Sequence, residues 1–174
     1  MPRNIEIKAR LHAISAAEKC LSDLQISRSA VIRQSDIFFK SPRGRLKLRR
    51  FPDNTGELIF YQRDDLKGPK ISSYHIYRTE DAECLQNTLE LAYPVLGEVN
   101  KIRDLYLTGH TRIHLDRVDR LGDFLELEFV MEDGQTLEEG AKIARDLMQK
   151  LGISMEDCIG EAYIDLISKI SPAD

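Results

Sequence analysis

The chain has 174 residues and a formal net charge of −4, the size of one domain able to bury its own core and the wrong sign for coating nucleic acid or an anionic membrane through bulk charge. Any basic site must therefore be local. Cys20, Cys84 and Cys158 are odd in number and lack CxxC spacing, and no apolar run nears the ~18 residues needed to span a bilayer, so a reducing, cytoplasmic setting without membrane insertion is expected.

Alternation of polar and apolar residues from Asn4 to Leu11 predicts a first strand, followed by a helix over Ala13 to Leu24. Strand-like runs then cover Ala30 to Lys40, Arg45 to Arg50, Glu57 to Asp64 and Ile71 to Arg78. The turns Ser41-Pro42-Arg43-Gly44, Asp53-Asn54-Thr55-Gly56 and Lys67-Gly68-Pro69 separate them. A helix over Asp81 to Leu91, capped by Thr79 or Asp81, precedes strands at Val95 to Leu107, Thr111 to Val118 and Asp123 to Met131, the last two parted by Leu121-Gly122-Asp123. Thr136 and Glu139 form a capping box for a helix over Leu137 to Leu151, a short helix runs from Glu161 to Ile170, and Pro172-Ala173-Asp174 is a frayed tail. No repeat or linker divides the chain, so residues 1–174 read as a single domain. The three cysteines read as small buried apolar residues.

The informative feature is which face of each strand is charged. Glu6 and Lys8 oppose Ile5 and Ile7; Arg45, Lys47 and Arg49 oppose Leu46 and Leu48; Lys101 and Arg103 oppose Ile102. Arg112, His114 and Asp116 oppose Ile113 and Leu115, and Glu126 and Glu128 oppose Leu125, Leu127 and Phe129. A solvated face normally mixes signs, whereas these cations cluster by strand, and like charges on neighbouring strands need a polyanion between them. A sheet closed with its charged faces inward answers that need, its apolar outside covered by the amphipathic helices. Glu126 and Glu128, with Glu6 and Asp116, offer the hard oxygens that Mg²⁺ or Mn²⁺ takes.

Eight segments in order carry a resemblance: Asn4-Ile5-Glu6-Ile7-Lys8, QSDIFF from Gln34, GRLKLR from Gly44, LIFYQR from Leu58, VNKIRDLY from Val99, TRIHLD from Thr111, LGDFLELE from Leu121 and AYIDLI from Ala162. Together they resemble the CYTH domain, or triphosphate tunnel metalloenzyme, family of class IV adenylyl cyclases and thiamine or inorganic triphosphatases. The resemblance implies an α+β fold: a closed eight-stranded antiparallel β-barrel, the triphosphate tunnel, with helices packed on its outside. It implies a phosphate grip at Lys8, Arg45, Lys47, Arg49, Arg63, Lys101, Arg103 and Arg112, and metal binding at Glu6, Asp116, Glu126 and Glu128. Two positions depart from the family pattern, Asn4 where its first Glu stands and Phe38 where Tyr is usual.

Arg78, near a strand end, is placed to reach a terminal phosphate, and Lys8, Glu126 and Glu128 are the candidate catalytic residues. His114 shares the face of Arg112 and Asp116 and is read as a hydrogen-bonding wall residue; Tyr163 is read as packing the barrel's end. The expected activity is metal-dependent hydrolysis of a small-molecule triphosphate, with adenylyl cyclisation of ATP as the alternative and non-catalytic polyphosphate binding as a second alternative. Nucleic acid is not an expected partner, because aromatics suited to stacking bases do not interleave with the cations. The outer faces of such a barrel can pair into a homodimer.

Overall fold

The computed structural model describes residues 3–132 and 134–170; the tail at 172–174 lies outside them. Twelve elements follow one another in the described chain: β1 (Arg3–Arg10), α1 (Ile14–Asp23), β2 (Arg28–Phe39), β3 (Arg45–Arg50), β4 (Gly56–Arg63), β5 (Lys70–Thr79), α2 (Ala82–Ala92), β6 (Val95–Thr108), β7 (Thr111–Val118), β8 (Gly122–Val130), α3 (Leu137–Lys150) and α4 (Tyr163–Ser168). Every predicted strand is present. α4 is shorter than the span read for it, and other limits move by a residue or two, the ordinary fraying of element ends.

The strands close into a ring in the order β1-β5-β4-β3-β2-β6-β7-β8, with all neighbours antiparallel. Five of the eight pairings join strands consecutive in sequence. The other three make the closure: β2 pairs with β6 across α2, and β1 slots between β5 and β8, with Glu6 opposite Lys70 on one side and Glu128 on the other.

Closure sends the two faces of each strand to different places. Ile5, Ile7, Ile113, Leu115, Leu125 and Leu127 point outward and are sealed by Ala17 and Leu21 of α1 and by Ala144 and Met148 of α3. A second outer cluster seats Leu89 of α2 on Ile37, Phe39 and Leu48. α3 lies close because Gly140 has no side chain; a Cβ there would stand 3.0 Å from Ile5 Cγ1 and 3.2 Å from the Phe129 ring. The Thr136–Glu139 capping box starts this helix as the sequence predicts, and Asp81, the second of the two expected caps, accepts a hydrogen bond from the Cys84 amide.

One end of the ring is filled. Phe38, Val99, Val118 and Phe124 point inward there and pack against Ala162, Tyr163, Ile164 and Leu166 at α4. The cysteines do not share one environment: Cys158 is buried, Cys20 is half-buried, and Cys84 is exposed because it sits on the solvent side of α2. Among the described residues no helix is long and apolar enough to cross a membrane.

Leu127 has no exposed surface and lies in the largest apolar cluster. Leu127→Ala is expected to lower stability by about 2–5 kcal/mol, read as a lower urea midpoint with an unchanged slope.

Candidate functional site

The inward faces are charged and buried. Lys8, Asp36, Lys101, Arg103, His114, Asp116 and Glu126 are all under a tenth exposed although none is at a sheet edge, so the charged side of the alternation is the interior. Between them lies a cavity of about 320 Å³, within the range of small-molecule sites. Glu6, Lys8, Lys47, Arg49, Arg63, Lys101, Arg103, Arg112, Glu126 and Glu128 all front it, and Arg78 reaches it from an exposed position beside Glu57.

Two predicted residues stand elsewhere. Arg45 leaves the cavity wall for the carboxylates of Asp65 (2.7 Å) and Asp165 (2.9 Å), which loops and α4 bring to its end of β3. Asp116 has no exposed surface and does not front the cavity. Arg103 grips it with two hydrogen bonds, from Nε (2.7 Å) and Nη2 (2.6 Å), and the Tyr163 hydroxyl donates a third at 3.0 Å. Its oxygens are committed to positioning Arg103, which also donates to Glu126 Oε2.

The strongest ionic knot involves a residue that the sequence reading passed over. Asp36 is in register with Arg49 and accepts two hydrogen bonds from its guanidinium, at 2.8 and 2.9 Å, and one from Lys47 Nζ at 2.7 Å. Lys101 Nζ stands 3.8 Å away. Burial opposes charge on Asp36, but Arg49, Lys47 and Lys101 outweigh it and hold the carboxyl well below the usual range. The available signal was Gln34 and Asp36 at a spacing of two in QSDIFF, which puts both on one face of β2.

Other cations are held more loosely. Lys8 Nζ is 3.9 Å from Glu126, Arg63 Nε is 3.6 Å from Glu6 and Arg112 is 3.7 Å from Glu128, all beyond hydrogen-bond length. Lys8 instead sits 4.1 Å above the centroid of the Tyr163 ring, a cation–π contact, and makes one long hydrogen bond, at 3.5 Å, to the Glu161 carbonyl. Tyr163 thus closes the barrel's end, as expected, and steadies Lys8. Burial, with Arg103 close by, pushes Lys101 down to about 7.

The acidic side of the cavity suits a divalent cation. Glu6 is raised by burial and by the charge of Glu126, a repulsion that a metal ion relieves. Oxygens of Glu126 and Glu128 and a ring nitrogen of His114 lie within 4.8 Å of one another. His114 Nδ1 and Asn4 Oδ1, both fronting the cavity, are buried without a hydrogen-bond partner among the described residues.

Asp36→Asn strips the shared anion from Lys47, Arg49 and Lys101 and is expected to cost about 3–5 kcal/mol in urea unfolding at pH 7. Because the fold depresses Asp36, its stabilisation is complete above the unfolded value of 3.8 and is lost as pH falls through the lower folded value. The gap between wild type and variant should therefore persist from pH 8 to 5 and shrink below pH 4; a gap that vanishes at neutral pH contradicts the assignment.

Comparison with known proteins agrees with the fold. A solved structure from Pyrococcus horikoshii superposes with a TM-score of 0.82 at 25% identity, covering 94% of this chain and 98% of that one. HpAC1 from Hippeastrum, a protein with a dominant triphosphatase activity, shares the fold at a TM-score of 0.64 and 17% identity, covering 97% of this chain and 98% of its own. Adenylate cyclase CyaB from Aeromonas hydrophila is 28% identical over 99 residues, 56% of this chain and 52% of its own, and a Methanocaldococcus jannaschii relative is 28% identical over 107 residues, 58% of this chain and 61% of its own. The chain thus spans between about half and three-fifths of the length of the curated relatives it matches. The family model of the CYTH domain matches residues 2–163, nearly the whole chain, and the chain belongs to that family.

Proposed function

We propose that this protein is a divalent-metal-dependent triphosphatase that binds a small-molecule triphosphate in its lumen. The observation that carries the reading is the coexistence, in one enclosed cavity, of cations without tight carboxylate partners and of the Glu6, Glu126 and Glu128 carboxylates, which offer oxygens for a metal ion. A triphosphate supplies the anion that the first lack. HpAC1, whose fold this chain shares, has a dominant triphosphatase activity, which supports the reading.

Phosphoryl transfer needs alignment and charge neutralisation more than covalent chemistry. Lys8 and Arg112 have donors to spare for phosphate oxygens, and Arg63 keeps those not given to the Gly160 carbonyl, while Lys47 and Arg49 share theirs with Asp36 and reorient least. Arg103 is locked on Asp116 and Glu126, and so presents fixed positive charge. Glu6, Glu126 and Glu128 would hold the cation, which when bound supplies further charge neutralisation at the phosphates. A water oxygen attacks the terminal phosphorus, its proton passes to a lumen carboxylate, with Glu128 the less tightly held of the β8 pair, and the bond to the bridging oxygen breaks. The diphosphate departs against the cations.

Cyclisation of ATP is the second reading, favoured by the CyaB likeness and by one feature of the cavity. Ile32, Phe51, Ile76 and Leu105 give it an apolar side, which suits a nucleoside better than an inorganic chain.

Purified protein incubated with Mg²⁺ or Mn²⁺ and tripolyphosphate, thiamine triphosphate or ATP is expected to release free phosphate. Cyclic AMP with pyrophosphate would establish the cyclase reading instead, and tight binding without turnover a binding module. Lys8→Ala and Lys47→Ala should each weaken triphosphate binding by about 1.5–3 kcal/mol, roughly 10- to 150-fold, and Glu126→Gln should lower turnover more than affinity. Lys101, largely neutral at pH 8 in the empty lumen, regains its proton beside a polyanion, so affinity should fall as pH rises through 7. Calorimetry at pH 8 in buffers of different ionisation enthalpy should show up to about one proton taken up, an uptake that Lys101→Gln removes; identical proton counts for the two proteins contradict this role.

A further inference from the structure

Within the acidic cluster, His114 has a buried ring nitrogen without a hydrogen-bond partner among the described residues. It sits in the middle of β7, in register with Glu126 on one side and Leu105 on the other, and only 4% of it is exposed. Its Nδ1 faces Glu126 Oε2 at 3.8 Å and Glu128 Oε1 at 3.9 Å. Both separations are too long for a hydrogen bond. The nitrogen is accordingly buried and unpartnered among the described residues, an arrangement that costs free energy unless something else occupies the gap.

The gap has the dimensions of a coordinated ion. One nitrogen of His114 and one oxygen from each of Glu126 and Glu128 lie within 4.8 Å of one another. Ligands on opposite sides of a first-row divalent ion, each at about 2.0–2.2 Å, stand about 4.0–4.4 Å apart, so modest side-chain rotation closes the set. The alternation of β7 and β8 supplies the rigidity, because all three groups spring from paired strands rather than from loops.

We propose that His114 Nδ1 is a metal ligand alongside Glu126 and Glu128, and that this mixed nitrogen–oxygen set makes the lumen prefer Mn²⁺ and the later first-row divalent ions over Mg²⁺. The reason is donor chemistry. Mg²⁺ takes hard oxygens and gives up water reluctantly, whereas imidazole adds affinity for transition ions. Nitrogen therefore discriminates where carboxylates alone do not. The inference deepens the metal-dependent reading by naming the ion class, but it is tested with no triphosphate present, so the two stand or fall separately.

The test uses the full chain with metal chloride alone. In calorimetric titrations wild type is expected to bind Mn²⁺ at least about tenfold more tightly than Mg²⁺, and His114→Ala and His114→Gln should both bring the ratio to within about threefold, with Mg²⁺ affinity little changed. Pulsed electron paramagnetic resonance of the wild-type Mn²⁺ complex should show modulation from a directly bound ¹⁴N nucleus. Wild type without that modulation overturns the proposal, even if neither variant folds, and so does a Mn²⁺ preference that survives in a folded variant. Absence of triphosphate turnover by the wild type with the nitrogen signal present would sink the triphosphatase reading and leave His114 as a ligand.

Discussion

Ring closure takes the charged faces of eight strands out of water, and every other feature of this barrel answers the cost of doing so. An ion removed from solvent needs partners within a few ångströms or it neutralises. The lumen meets that demand unevenly. Asp36 collects Lys47 and Arg49, Asp116 collects Arg103 and Tyr163, and Lys101 stands between the two carboxylates. Lys8, Arg63 and Arg112 are left with counter-charges at arm's length. The tight knots stabilise the wall, and the loose pairs leave donors for a ligand.

That division explains what the sequence shows and what it withholds. Period-two alternation in NIEIK, RLKLR and FLELE announces strands whose charges share a face, and the single sign within RLKLR and within FLELE argues that the face is enclosed. Local information ends there. Asp36 matters because β2 pairs with β3 in a register that puts it opposite Arg49, and nothing local to QSDIFF sets that register. Asp116 carries the same alternation signal as Glu126, yet Arg103, in register with it across β6 and β7, draws it behind the wall. Arg45 looks like Lys47 and Arg49 in sequence, but Asp65 and Asp165 reach it only after the ring closes and α4 docks.

His114 shows the same limit from the other side. Read alone it is an ordinary wall histidine, since most buried histidines find hydrogen-bond partners. Only the pairing of β7 with β8, which sets Glu126 beside it and Glu128 two residue pairs along, leaves its Nδ1 facing two carboxylates at a distance no hydrogen bond spans. Asn4, its polar atom likewise without a partner, lies on β1 across β8 from these groups. The acidic wall is thus built from three strands that meet because the first strand of the chain closes the ring against the last.

The apolar stopper of Phe38, Val99, Val118, Phe124 and Tyr163 turns the bore into a cul-de-sac at that end. Traffic through the exposed side, where Arg78 and Arg112 stand, is then two-way along a single lane. For the proposed cleavage of a triphosphate, the fragment lying deeper would have to wait for the shallower one to leave. Departure order would then follow from the architecture, and the inner fragment, surrounded by lysine and arginine, would act as the brake on the next cycle.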